Sequence, residues 1–381
     1  MAVLETAPLM RFDDLDRCTV AALQTDPRAS WSQLSSVIGV SETTVMRRVQ
    51  RLRERGALII IALPDVLRCG LGQPVLVQFR TVPGKTDVLA RYLAERPDVR
   101  ALSILAGSYD ITCELIAANE HYLGEVLILD VPTTGAVVGS TAEIVLKTFK
   151  TNDQWSRTVL DGSSPLNPEA IQVPLLEPTP LDAVDSQLVA ALNPDARRSY
   201  ANLSHDLGLS ETSIARRLSA LRQSGQLYFV AMIDPSLLGF DVEAFLHLRV
   251  EPGRLESAAL ALAAMPAVRY LSATTGESDL VCEVIFRDSE ALYKFVAHTL
   301  GTVGGIRDVR VDVELESVKR GFRYPFFGAH KRPLWQGRVD DSELAKTSAR
   351  AKRAARGPAT GPVDAASRNA ARARTRAASK K

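Results

Sequence analysis

The chain has 381 residues, 46% hydrophobic and 24% charged, with a formal net charge of +2, a balance that suits a soluble globular protein of roughly two to four domains. Its longest apolar run, Ala258 to Met265, is eight residues, far short of a membrane span, and the N-terminus has neither the basic head nor the apolar stretch of an export signal. Four cysteines (Cys18, Cys69, Cys113, Cys282) without C-x-x-C spacing argue against zinc and for thiols in a reducing cytoplasm.

The chain repeats itself. Residues 12–58 fall on 181–227 without a gap, at the offset of 169 fixed by Ser41-Glu42-Thr43 and Ser210-Glu211-Thr212. The window holds 21 identities in 47 positions, where composition alone gives roughly 3. The register then persists: Pro97 lands on Pro266, Gly107 on Gly276, Asp110-x-x-Cys113-Glu114 on Asp279-x-x-Cys282-Glu283, and Lys150 on Lys319. So long a period means a duplicated multi-part unit rather than a solenoid repeat.

In chain order, residues 12–60 read as three short helices. Asp13-x-x-Asp16 precedes an apolar run through Val20 and Leu23, Ser30 caps a helix carrying Leu34 and Ile38, and Gly39-Val40 turns the chain. Ser41 caps a third helix, on which Val45, Val49 and Leu52 form one buried stripe. Its other face carries Thr43, Thr44, Arg47, Arg48 and Arg51. The second copy repeats the plan with Ser199, Ser210, the stripe Ile214, Leu218, Leu221, and a face of Thr212, Ser213, Arg216 and Arg217. Gly56 and Gly225 end these helices, and Leu58–Leu63 and Leu227–Ile233 read as wing strands. This is a helix-turn-helix whose last helix suits a major groove: hydroxyls and N-terminal N–H groups for phosphates, arginines for guanine. The bland reading is a solvated basic face on an ordinary three-helix module.

The rest of each unit alternates strand and helix. Val77, Phe79 and Thr81 alternate with polar neighbours, as do Leu246, Leu248 and Val250. A helix follows (Val88–Ala94; Leu255–Ala264), then a strand (Val99–Leu105; Val268–Thr274), a Gly-x-x-Asp turn, and an apolar strand (Ile111–Ala117; Leu280–Phe286). A helix and a last strand near 140–148 and 309–316 complete βαββαβ, the ferredoxin-like plan. Five prolines in 151–180 mark a semi-rigid linker, and Phe322, Tyr324, Phe326, Phe327 and Trp335 form an aromatic extension. Residues 346–381 carry eleven Lys/Arg against Asp364 alone; such a tail is expected to be disordered and to favour polyanions.

The fold class is therefore α+β: two tandem units, each a winged helix-turn-helix followed by a ferredoxin-like domain. The expected boundaries are 1–62, 63–150, linker 151–180, 181–231, 232–320, aromatic extension 321–345 and basic tail 346–381.

This ordered set resembles the Lrp/AsnC family of regulators. The resemblance is carried by Asp13-x-x-Asp16, Ser41-Glu-Thr-Thr-Val-Met-Arg-Arg, Gly56, Gly107-Ser-Tyr-Asp110 and Thr148-Phe-Lys150, and by their counterparts Asp182-x-x-Asp185, Ser210-Glu-Thr-Ser-Ile-Ala-Arg-Arg and Gly276-Glu-Ser-Asp279. It implies a non-catalytic, cytoplasmic, nucleoid-associated bacterial regulator of double-stranded DNA that answers to an amino acid or a related small molecule. The implied partners include no membrane, metal or cofactor. It further implies pairing through the ferredoxin-like sheets, either between chains or within one chain as a pseudo-dimer that assembles further. The DNA-contacting set would be Ser41, Thr43, Thr44, Arg47, Arg48 and Arg51 with Ser210, Thr212, Ser213, Arg216 and Arg217. The effector would meet Gly107, Tyr109 and Asp110, with Gly276, Ser278 and Asp279 as their counterparts. The alternative is that Gly and Asp there only make the turn. Because Arg51 and Arg55 become Ala220 and Ser224, the first reading helix is expected to bind DNA harder. Two rivals stand beside this reading: a siroheme decarboxylase-like enzyme built on a similar paired scaffold, and a nucleoid protein that coats DNA through its tail.

Overall fold

The computed structural model describes residues 12–151 and 178–323. The linker over 152–177, the aromatic extension from residue 324 and the basic tail lie outside the described residues.

The first unit runs α1 (Asp14–Thr25), α2 (Trp31–Ile38), α3 (Glu42–Glu54), β1 (Leu58–Pro64), β2 (Gln73–Thr81), α4 (Thr86–Glu95), β3 (Val99–Ala106), β4 (Ile111–Ala117), α5 (Glu120–Gly124) and β5 (Val137–Thr151). A π turn over Glu125–Asp130 extends α5. The second unit runs α6 (Ala183–Leu192), α7 (Tyr200–Leu207), α8 (Glu211–Gln223), β6 (Leu227–Ile233), β7 (Val242–Val250), α9 (Leu255–Ala263), β8 (Val268–Thr274), β9 (Leu280–Phe286), α10 (Ser289–Lys294) and β10 (Ile306–Lys319). Serine hydroxyls set the helix starts, with Ser30, Ser41, Ser199 and Ser210 each accepting a backbone N–H three residues on. Gly39 and Gly208, at φ of 79° and 65°, close α2 and α7 in the left-handed region that a side chain would disfavour.

The two three-helix modules are one body. Leu23, Leu34, Val45 and Val49 share a single apolar core with Leu188, Leu192, Leu203 and Ile214. The strands read as wings form no strand pair within their own units. Instead β1 pairs antiparallel with β6 of the other unit, Leu58 opposite Ile233 through Pro64 opposite Leu227. The reason is legible in burial: nearly every β1 position is buried, so both faces of the strand need cover. Leu58, Ile60 and Ala62 face the helical core, while Ile61 and Leu63 face the other way with Val230.

The ferredoxin-like sheets close on each other into an eight-stranded barrel in the order β10-β3-β4-β2-β5-β8-β9-β7. The last strand of each unit makes the closure. β5 pairs with its own β2 through residues 137–144 and then with β8 of the second unit from Val145 onward. β10 does the same, first with β7 and then with β3. This explains why both run longer than the apolar spacing of each unit alone suggests. Closure leaves the barrel with no free edge, and the pairing that the resemblance allowed between chains is made here within one.

Buried lysines fasten the crossing. Lys150 Nζ donates to Met265 O (2.8 Å) just past α9, and Lys319 Nζ donates to Ala94 O (3.0 Å) in the last turn of α4 and to Arg96 O (2.5 Å) just past it. Each unit thus caps a helix terminus of the other with a cation, where carbonyls lack intrahelical partners. Burial pushes both ammonium groups down to about 8.

Candidate nucleic-acid interface

Both recognition helices, α3 and α8, begin at an exposed serine cap. Ser41 Oγ accepts from Thr44 N–H (3.3 Å) and lies 3.1 Å from the Thr43 hydroxyl; Ser210 Oγ accepts from Ser213 N–H (3.3 Å) and lies 3.1 Å from the Thr212 hydroxyl. Thr43 and Thr212 are exposed, and Thr44 and Ser213 half-buried. Arg47 and Arg216 stand exposed in the second turn, and among the described residues neither makes an ion pair.

The next arginines turn inward. A helical step of about 100° carries Arg48 toward α1, where Nη1 donates to Asp13 Oδ2 (2.7 Å) and Asp16 Oδ1 (2.8 Å). Arg51 Nη2 also reaches Asp16 (2.6 Å), and Arg217 Nη1 repeats the arrangement with Asp182 (2.8 Å) and Asp185 (2.9 Å). The Arg48 hydrogen bond, with the Asp16 N–H, holds the Asp13 carboxyl below the usual range. The Asp-x-x-Asp motif thus caps the first helix and ties the recognition helix to it. Sequence reasoning placed Arg48, Arg51 and Arg217 on the outer face. The partners are the Asp-x-x-Asp residues of the same unit, Asp13 and Asp16 for Arg48 and Asp182 and Asp185 for Arg217. The change from Arg51 to Ala220 therefore removes an inward ion pair, whereas Arg55 and Ser224 are both exposed.

A reciprocal arginine clasp fixes one module against the other. Arg28 donates to Ala196 O (2.6 Å) and Arg198 O (3.2 Å), and Arg197, its repeat equivalent, donates to Pro27 O and Ala29 O (2.9 Å each). Each guanidinium also covers the other module's aromatic ring, Arg197 over Trp31 at 4.2 Å and Arg28 over Tyr200 at 5.2 Å.

The two Gly-x-x-Asp turns lie where the sheets meet, and each is filled by the opposite unit. Asp312 Oδ1 accepts from Ser108 N–H (2.7 Å) so close to Gly107 that a Cβ there would overlap it. Its repeat equivalent, Glu143, accepts from Ser278 N–H (3.0 Å) beside Gly276. Asp110 Oδ2 accepts from Thr81 N–H (2.6 Å) and Asp279 Oδ2 from Val250 N–H (2.8 Å), so both aspartates brace their own turns. Tyr109 is buried between the guanidinium groups of Arg80 and Arg310, each 5.0 Å from its ring. Ser278 Oγ lies 3.3 Å from Nδ1 of His247, which burial pushes down to about 3. His121, His205 and His298 are exposed and scattered, and His330 lies outside the described residues.

Residues 12–53 and 181–222 match the AsnC-type helix-turn-helix domain, and residues 243–324 match the Lrp/AsnC ligand binding domain. The HTH-type transcriptional regulator Ptr1 of Methanocaldococcus jannaschii is 34% identical over 146 residues, which are 38% of this chain and 99% of the relative. The HTH-type transcriptional regulator FL11 of Pyrococcus horikoshii is 31% identical over 147 residues, 38% of this chain and 97% of that protein. Each relative's length thus corresponds to one of the two units here. Among solved structures, the siroheme decarboxylase NirDL is similar at a TM-score of 0.57 and 16% identity, covering 83% of this chain and 96% of that one. At that identity the likeness speaks for the paired fold alone.

Proposed function

We propose that this chain, which belongs to the Lrp/AsnC family of transcriptional regulators, binds double-stranded DNA as a single-chain pseudo-dimer. One observation carries the reading: α3 and α8 both present an exposed N-terminal turn and an outward arginine, while the clasp holds their modules as one body. In this reading Thr43, Arg47, Thr212 and Arg216 meet the duplex. Ser41, Thr44, Ser210 and Ser213 shape the helix starts, and Arg48, Arg51 and Arg217 set the helices' aim.

A small-molecule effector, taken to be an amino acid, modulates the binding. At Gly107, Tyr109 and Asp110, and at Gly276, Ser278 and Asp279, an effector carboxylate would have to displace Asp312 or Glu143, which favours turn and interface roles for those residues. We take the chain to be non-catalytic, and an absorbance scan after incubation with siroheme tests the rival. Deleting the tail over 346–381 and repeating DNA titrations at several salt concentrations tests the coating reading, since each neutralised phosphate contributes about −0.9 to the salt slope.

The decisive experiment is an anisotropy titration of a fragment from the gene's own upstream region against the chain and its Arg47→Ala and Arg216→Ala variants. Each substitution is expected to weaken binding. Undiminished binding by the double variant refutes the assignment.

A further inference from the structure

Two identical recognition helices in a homodimer read two like half-sites, because operator symmetry mirrors protein symmetry. Here both helices belong to one polypeptide, and each has its own sequence. The residues that aim them are the same in both copies. Ser41 and Ser210 cap the helices, and Arg48 and Arg217 brace them on the Asp-x-x-Asp residues. Arg47 and Arg216 keep the outward cation. The copies diverge elsewhere on the same outer face.

A rotation of about 100° per residue sets Thr43, Met46, Arg47 and Gln50 within one arc of about 100°, opposite the buried stripe of Val45, Val49 and Leu52. In α8 the matching arc holds Thr212, Ala215, Arg216 and Ser219. Two of the four positions differ, Met46 against Ala215 and Gln50 against Ser219. Packing within the chain calls for neither change. Met46 is 43% exposed and lies outside the apolar core of the helical body, while Gln50 and Ser219 are both exposed.

The differing side chains suit different bases. The Gln50 amide donates to Glu54 Oε1 (2.8 Å) through one N–H, which leaves its second N–H and its carbonyl oxygen to pair elsewhere. One donor beside one acceptor matches the N7 and N6 edge of adenine in the major groove. Ser219, whose Oγ accepts from Gln223 Nε2 (3.3 Å), offers only a short hydroxyl that is donor or acceptor and commits to no base. Met46 supplies a long, adaptable apolar chain for the thymine methyl group, whereas Ala215 ends at Cβ.

We propose, on the reading that both helices meet one duplex, that the operator has polarity. The half-site under α3 carries an adenine read by Gln50 and a thymine packed on Met46. The half-site under α8 is held by Thr212 and Arg216 and tolerates any base at those two places. The chain therefore sits on DNA in one orientation, and its two units face different flanks of the site.

The test is selection of bound duplexes from a randomised library by the full chain and by two swap variants, followed by titration of the selected operator. The unaltered chain is expected to select an inverted pair of unlike half-sites, with the adenine and thymine enriched in one of them. Replacing both bases in that half should weaken its binding about tenfold, about 1.4 kcal/mol, and the same replacement in the other half less than about twofold. Met46→Ala with Gln50→Ser gives α3 the outer face of α8 and should make both replacements harmless. Ala215→Met with Ser219→Gln does the reverse and should make both costly. These positions are exposed or half-buried, so the swaps are expected to keep the melting temperature. Should a double swap not fold, Gln50→Ser alone must still erase the adenine preference. A selected palindrome, or swap variants that select as the unaltered chain does, overturns the polarity and leaves the DNA reading standing. A library in which nothing is enriched overturns both, so the two failures are distinguishable.

Discussion

Replacing Arg48 by alanine separates structure from DNA contact more sharply than any other change. The guanidinium bridges Asp13 and Asp16 at 2.7 and 2.8 Å, with Asp16 almost wholly buried and Asp13 more than half exposed. Hydrogen bonds to charged groups contribute about 1.5–3 kcal/mol when buried, and solvent screening at Asp13 cuts that toward about 1–2 kcal/mol. Because Arg51 still reaches Asp16, the lower end is the better figure. A loss of about 1 kcal/mol lowers the melting temperature by no more than about 2–4 °C in a protein of this size. The neighbouring Arg47→Ala touches no internal partner, so its effect on stability is within about 0.5 kcal/mol. In DNA titrations the order reverses: Arg47→Ala loses about 1–3 kcal/mol of affinity if the arginine pairs with a base. Paired thermal melts and anisotropy curves read both axes. An Arg47→Ala variant that melts early yet binds DNA normally would refute the division of labour between the two arginines.

Further outcomes follow from the same contacts. Asp13 is held below its ordinary 3.8, so its stabilising link to Arg48 is complete above that value and fades as pH falls through the lower folded value; Arg48→Ala should flatten this part of an acid titration. For Lys150 and Lys319 the sign is opposite. With native values near 8 against an ordinary 10.5, the unfolded chain holds more protons between those pH values, so their contribution makes stability rise with pH there. The double change to methionine should remove that slope in denaturant titrations, and an unaltered slope would show that the lysines are not buried as described. Arg28→Ala with Arg197→Ala should weaken DNA binding although neither faces the duplex, by loosening the two modules; unchanged affinity in a folded double variant would speak against the clasp. Cys18 is exposed while burial pushes Cys69, Cys113 and Cys282 up to about 12. A thiol reagent at neutral pH should label Cys18 alone until the chain unfolds, and rapid labelling of Cys113 or Cys282 would contradict their burial.

Much of the fold was legible because it is written in local chemistry. Ser41 and Ser210 cap where cap residues stand in the sequence, and the stripes Val45, Val49, Leu52 and Ile214, Leu218, Leu221 are buried as their spacing requires. What escaped is non-local. The crossing of β5 and β10 depends on partners more than a hundred residues away, which no period within a single strand encodes. The strands read as wings were apolar at almost every position, a hint of cover on both faces, but their pairing with each other needed the two modules to be fused into one core. At the candidate interface, one residue of helical phase separated the outward Arg47 from the inward Arg48. At the turns, the carboxylates filling the glycine recesses came from the opposite copy.

The central claim, that one chain lays two recognition helices on one duplex, is tested most directly by hydroxyl-radical footprinting at a stoichiometry fixed by calibrated titration. The account predicts two neighbouring protected half-sites per bound chain, with Arg47→Ala fading one and Arg216→Ala the other. Protection of a single half-site per chain, or of none on any genomic fragment, would contradict it.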